Sequence, residues 1–406
     1  MRNNKLWFAQ SKVLIVIAVI LTLVTGSWAT PKERVIHHFQ YLKGDVPTAG
    51  LVFDAQGNLY GTTLQGGTHG RGTAFELSPA AGGGWTETVL YSFNNAPDAA
   101  NPYGGLVLDT AGNLYGTTYY GGTSNRGAVY KLTRGSNGTW TESVLYSFAD
   151  GNPTGALVFD AQGNLYGTTT SDGVTYHAGT VFELTPASGG NWNASVLYSF
   201  KGSGNGDGDS PYCGLILDAA GNIYGTTELG GAKDEGTVFK LTLSKGIWTE
   251  SLLYSFTGQS DGYDPYAGVT MDRSGNLYGT TLSSAFELKP TSGGGWQFIL
   301  LHPLTGSNGG RLASYSGVVL DQQGNLYGTT LQGGNGCNYP GCGIVFKLAP
   351  QSEGSWKETI LHNFESADDG SYSAAGVILD KMGNLYGTTN YGGGEFGYGT
   401  VFEITP

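Results

Sequence analysis

The chain has 406 residues with 20 basic and 32 acidic side chains, a formal net charge of −12. A surface of that sign repels phosphate backbones and anionic membranes, so nucleic acid is not an expected partner. Glycine supplies 69 residues without a Gly-X-Y period, which excludes collagen, and an aromatic content of 12% argues against disorder because such a chain buries ample apolar surface.

In chain order, residues 1–29 read as a segment apart from the fold. Arg2, Lys5 and Lys12 make a basic head, Val13 to Val24 is an apolar-rich run of 12, and Ser27 and Ala29 are small residues at −3 and −1 of a cut after Ala29. That is the layout of a cleaved export signal. The competing reading, an uncleaved anchor, needs about 20 apolar residues to span. Cleavage leaves 17 basic against 32 acidic side chains, a net charge of −15, on a secreted, periplasmic or surface protein of residues 30–406 with no later span.

The phrase Gly-Asn-Leu/Ile-Tyr-Gly-Thr-Thr then begins at Gly57, Gly112, Gly163, Gly221, Gly275, Gly324 and Gly383, at spacings of 55, 51, 58, 54, 49 and 59. A period near 50 with strand-like units predicts a β-propeller. In the first unit Gly50 to Phe53 is predicted as strand a, Asn58 to Thr63 as strand b, Thr73 to Leu77 as strand c and Trp85 to Phe93 as strand d. All are rich in β-branched and aromatic residues and bounded by Gly, Pro, Asn or Asp. Asp54, Asp109, Asp160, Asp218, Asp272, Asp321 and Asp380 each precede the repeat glycine by three residues. An Asp there caps a type I turn, and the glycine supplies the positive φ of a bulged hairpin. Seven identical contexts point to turns and not to a catalytic centre.

The last unit stops after strand c, at Val401 to Pro406, while Val35-Ile36-His37-His38-Phe39 aligns with the strand-d segment Val89 to Phe93. The N-terminal segment is therefore predicted to complete the last blade and close the ring, which removes exposed edge strands. The fold class is all-β, a closed seven-bladed propeller of four-stranded blades. An open solenoid is the alternative.

The unit Asp-x-x-Gly-Asn-Leu-Tyr-Gly-Thr-Thr, then Gly-Gly, then Gly-Thr-Val-Phe-Glu-Leu-Thr-Pro, resembles the Gloeo/Verruco (GloVer) tandem repeat over roughly residues 33 to 406, and more distantly NHL-type propeller repeats. The resemblance implies a bacterial protein outside the cytoplasm, with no catalytic residues to carry over. Members of that group often carry a C-terminal surface anchor. Here Pro406 ends the last unit, and none is expected.

The chemistry-bearing residues are mostly absorbed by the repeat. His37, His302 and His362 fall at the strand-d position held elsewhere by Tyr91, Tyr146, Tyr198 and Tyr254, and His38 replaces a strand-d Ser. His69 and His177 lie in variable loops. Trp85, Trp140, Trp192, Trp248, Trp296 and Trp356 share one repeat position, read as blade-edge packing. No metalloprotease, nucleophile-elbow or phosphate-cradling motif occurs. Cys337 and Cys342 flank a Pro-Gly turn in the blade-six b–c loop and are expected to form a local disulfide, contributing roughly 2 kcal/mol. Cys213 is expected as a small buried residue near the axis. The segment Asn205 to Ser210 begins like a calcium loop, but Ser210 and Ile216 stand where Gly and Glu are needed, which excludes a helix-loop-helix site; a looser calcium site at Asp207 and Asp209 stays open. No other cofactor is expected. The aspartates of the d–a loops, Asp98, Asp150, Asp207, Asp261 and Asp369, read as turn residues.

Because the a–b turns are nearly invariant while the b–c and d–a loops vary, a ligand is expected at the variable loops. Tyr119, Tyr120, Tyr391 and Phe396 are the expected aromatic surface there, with Asp207 and Glu228 beside them. The expected function is a monomeric, non-enzymatic scaffold binding an extracellular glycan or protein. An enzyme acting on polysaccharide would draw on Asp207, Asp209, Glu228 and His177, and a structural role in the cell envelope is the third reading.

Overall fold

The computed structural model describes residues 30–172, 176–304, 316–338, 340–352, 354–366 and 368–406. The expected export signal at 1–29 lies outside the described residues. Residues Pro31–Pro406 form one compact unit of seven four-stranded antiparallel blades. In blade 1 the strands are Val52–Phe53, Leu59–Thr63, Thr73–Pro79 and Trp85–Ser92, in sequence order across the sheet. Strand a is shorter than the sequence predicts, with only two residues in register in every blade, Val52 opposite Tyr60 and Phe53 opposite Leu59 in the first. In blade 2 strand b runs on over Leu114–Gly121 and also pairs with Ala99–Pro102.

The ring closes as the two chain ends predict. Lys32–His38 lies antiparallel to Thr400–Thr405, with Lys32 opposite Thr405 and His38 opposite Thr400, and becomes the outer strand of blade 7. Every outer strand carries a bulge at one apolar residue, Ile36, Leu90, Leu145, Leu197, Leu253, Leu301 or Leu361. The extra residue increases the local twist that lets a blade fan outward.

The core is divided into seven seams, one between each pair of adjacent blades. The repeat phrase dictates each seam. Its middle glycine faces the strand-c aromatic: a Cβ on Gly61 would sit 2.6 Å from the ring of Phe75, so the aromatic covers the glycine and only glycine fits. In several blades the first threonine of the phrase bonds across to the next blade, with Oγ1 of Thr117, Thr168 and Thr226 donating to the carbonyls of Gly155, Cys213 and Ala267 at 3.1, 3.0 and 2.8 Å. Where strand c begins with a threonine, the second threonine bonds to it within the blade, Thr63 to Thr73 at 2.9 Å and Thr227 to Thr237 at 2.7 Å. The tryptophans pack blade on blade, as expected: Trp85 meets Tyr386, Trp192 meets Tyr115 and Trp296 meets Tyr224, at ring separations of 6.1, 6.2 and 6.4 Å.

Candidate functional site

The a–b turns are fully committed to structure. Oδ1 of Asp109 accepts the amides of Ala111 and Asn113, while Oδ2 accepts the Asn113 side chain and the Tyr115 hydroxyl, all at 2.7–3.0 Å. The same four bonds recur at Asp218 and Asp321. Burial opposes ionisation at Asp109, Asp160, Asp218 and Asp321, but these donors outweigh it and hold the carboxyls below the ordinary range. A carboxylate with every lone pair taken is not free for a substrate.

Four of the five d–a loop aspartates are likewise engaged, by the strand-d residue that the sequence reads as packing alone, while Asp150 accepts the Gly151 amide instead. The Tyr91, Tyr198 and Tyr254 hydroxyls donate to Asp98, Asp207 and Asp261 at 2.9, 2.8 and 3.0 Å, and the His362 ring lies 2.9 Å from Asp369. Asp207 also accepts the amides of Lys201 and Gly208, which makes it a buried loop-former. A strand-d glutamate of the following blade often completes the cluster. Burial, then the Asp98 charge, pushes Glu142 up to about 8, and burial with Asp207 pushes Glu250 up to about 7. At the closure, Glu87 instead meets Lys43 at 3.0 Å and His37 at 3.5 Å.

Around the axis, the blades approach so closely that backbone alone forms the wall. A Cβ on Gly155 would fall 2.0 Å from the Cys213 carbonyl oxygen of the next blade. Above this glycine collar, at the end where the d–a loops turn into strand a, lies a cavity of about 440 Å³ lined in part by Tyr103, Tyr212, Tyr266, Tyr372 and Tyr391. Their rings associate in pairs, Tyr212 with Tyr266 at 5.7 Å and Tyr372 with Tyr391 at 6.0 Å. Buried Cys213 also contributes to the wall, its sulfur bonded to the backbone of Thr226. Beside the cavity, the Tyr266 hydroxyl donates to Glu228 at 2.5 Å. Burial raises Glu228, with Asp209 adding to it, and burial together with Glu228, Glu235 and Asp234 pushes Asp264 up to about 6. Glu228 and Asp264 are therefore easier to protonate than ordinary carboxyls.

The structure brings some of the sequence-predicted residues together, Asp209 beside Glu228 and Tyr119 beside Tyr120, and distributes the others over different loops. Tyr391 lines the axial cavity. Tyr119 packs between Tyr103, at 6.1 Å, and Tyr120, at 4.8 Å. Tyr120 is exposed and faces a second cavity of about 480 Å³ with Arg71 and Asn125. Phe396 is 70% exposed and stacks on Tyr398 at 5.8 Å. Glu228 stands at the Tyr266 side of the mouth, and His177 lies 3.8 Å from Asp150 on the surface. Asp209 accepts from the Ser210 hydroxyl, and among the described residues no three His, Cys, Asp or Glu side chains are grouped to hold a metal ion. Cys337 and Cys342 are joined in a disulfide, with Cα atoms 5.6 Å apart. Tyr103, Tyr212, Tyr266, Tyr372 and Asp264 were not legible as site residues. Three of the tyrosines recur six residues before a turn aspartate, and recurrence reads as packing.

No curated protein matches the sequence. Among solved structures, the chain is similar to virginiamycin B lyase from Staphylococcus aureus, at 12% identity and TM-score 0.56 over 93% of this chain and 99% of that one. It is also similar to a putative 6-phosphogluconolactonase from Bacteroides fragilis, at 13% identity and TM-score 0.51 over 82% and 87%. PorZ, a surface component of the type-IX secretion system of Porphyromonas gingivalis, matches at 15% identity and TM-score 0.51 over 90% of this chain and 48% of that one. At these identities the likeness is one of fold. The sequence itself is matched by the model of the Gloeobacter/Verrucomicrobia repeat over residues 20–206 and 170–285. The matched stretch holds five of the seven repeat phrases described above, those beginning at Gly57, Gly112, Gly163, Gly221 and Gly275, and the chain belongs to the Gloeobacter/Verrucomicrobia repeat family.

Proposed function

We propose that this propeller is an exported binding scaffold that takes an extracellular glycan at the tyrosine-lined mouth of its axial cavity, without turning it over. One observation carries the reading: Tyr103, Tyr212, Tyr266, Tyr372 and Tyr391, from five different loops, converge on one cavity of about 440 Å³. A tyrosine offers an apolar face for the C–H side of a sugar ring and a hydroxyl for its edge. The size lies within the range of small-ligand sites. The test is a glycan array on the purified protein, followed by titration of a hit against Tyr372→Ala and Tyr391→Ala. Each substitution is expected to weaken binding about tenfold, or about 1.4 kcal/mol, with no change in melting temperature. Undiminished binding by the double variant overturns the placement.

The carboxyl patch favours a second reading, an enzyme acting on polysaccharide. A carboxyl pushed up to about 6, as Asp264 is by burial and the neighbouring Glu228, suits general acid chemistry. Release of reducing ends from a bound polysaccharide, abolished by Glu228→Gln or Asp264→Asn, would establish it in place of the first.

A further inference from the structure

Seven blades built from one repeat reveal function where one blade departs from the rest without a packing reason. The residue before the glycine that leads into strand c, Gly72 in blade 1, is such a position. It is Arg71 in blade 1 and Arg126 in blade 2, but Ala178, Glu235, Cys342 and Tyr398 in blades 3, 4, 6 and 7. No common structural demand selects arginine there. Arg71 is half-buried and lines the cavity of about 480 Å³ between blades 1 and 2, together with Asn95, Ala96, Ala100, Tyr120 and Asn125.

The guanidinium has no carboxylate of its own. Among the described residues, ion pairs engage Arg34 with Glu403 and Lys43 with Glu87, and neither an ion pair nor a hydrogen bond engages the Arg71 side chain. In a chain of net charge −12, a sheltered cation without a partner is out of keeping with its surroundings. Its fork of donors matches a carboxylate in two-point geometry. The other walls suit a sugar ring. Tyr120 is 44% exposed and presents an aromatic face. The Asn125 carbonyl oxygen is occupied by the Gly121 amide at 3.0 Å, which leaves its amide nitrogen to donate outward. Asn95 adds a second amide at the rim, and Ala100 keeps the floor small.

We infer that the groove between blades 1 and 2 is a subsite for the carboxylate of an acidic sugar, a uronic acid residue of a polysaccharide. The inference rests on the glycan reading above and names the class of glycan. The acidic remainder of the surface sharpens it. Beyond a Debye length of about 8 Å its repulsion is screened at physiological salt, so a polyanion is held only where an unpaired arginine meets it at contact distance. Arg126, exposed on the adjoining blade, extends the same preference to the next sugar of a chain.

The experiment titrates the full protein with oligogalacturonate, with the same oligomer after reduction of its carboxyl groups to alcohols, and with polyglutamate, at low and physiological salt. The expected result is binding of oligogalacturonate that falls at least tenfold on carboxyl reduction and at least tenfold in Arg71→Leu, with a smaller loss in Arg71→Lys, which keeps the charge but not the fork. Circular dichroism melting of each variant, expected unchanged, separates this from misfolding. Equal binding of the native and reduced oligomers, or Arg71→Leu binding as tightly as the parent, overturns the subsite while leaving a neutral glycan at the axial mouth intact. Polyglutamate bound as tightly as oligogalacturonate with the same dependence on Arg71 also overturns it, because the groove then reads acidic peptide. If none of the three binds while the tyrosine mouth retains its array ligand, the subsite alone has failed.

Discussion

The a–b turns and the variable loops sit at opposite ends of the same strands, yet they spend their polar groups differently. At the turns, the same Asp, Asn and Tyr meet in the same bonds, so that Asp109, Asp218 and Asp321 are chemically interchangeable. At the loops, one blade offers an unpaired arginine, another a glutamate held by a tyrosine, another a disulfide. The turns keep the blades alike, and that uniformity frees the loops to differ, because a change at one end of a strand costs little at the other.

The sharpest way to break this comparison is to break the ring that both ends share. Removing residues 32–38 leaves blade 7 one strand short and exposes the edge of Thr400–Thr405. The expected loss is at least about 5 kcal/mol, a fall in melting temperature on the order of 10 °C or outright aggregation, seen by scanning calorimetry and size exclusion. A truncation as stable as the parent would remove the case for closure.

Next comes the turn itself. Asp218→Ala strands four donors, and a destabilisation of about 2–3 kcal/mol by chemical denaturation is expected, with ligand affinity unchanged. Since the folded pKa of Asp218 lies below its unfolded value, its contribution is present above the unfolded pKa of about 3.9 and is lost as the pH falls through the folded value. The penalty of the substitution should therefore shrink in acid.

Glu142 has the opposite sign. Its folded pKa is raised to about 8, so the protonated form suits the fold; the contribution is full below the unfolded pKa and drains away as the pH rises towards 8. Glu142→Gln, which stays neutral, is expected to melt a few degrees above the parent at pH 8 and level with it at pH 4. A parent whose stability is flat between pH 5 and 8 would contradict this. The smallest effect belongs to the loop face: Phe396 is 70% exposed, and Phe396→Ala should leave the melting temperature within about 1 °C.

The ring was legible in the sequence because period, turn chemistry and strand pattern all state it seven times, and the borrowed strand because His37-His38-Phe39 keeps the strand-d pattern. The seams were only half legible. Spacing shows that Tyr91 and His362 share a position, but not that each reaches the aspartate of its own d–a loop. The candidate site was least legible. Tyr103, Tyr212 and Tyr266 recur with the repeat and so read as packing, whereas their neighbourhood is created by the circular arrangement that brings residues of different blades to one axis. A partner that lies across the ring leaves no local pattern in the chain.

The closing strand also sets an order of events. Arg34 and Glu403, paired across the closure, are 369 residues apart in sequence. By polymer statistics, bringing such distant ends together costs about 2 kcal/mol more than closing a loop one blade long. No gain from the last seam is available until the whole chain is present. Six seams can form as neighbours are made, and the seventh waits for them all. Folding should thus finish with one slow, all-or-none step.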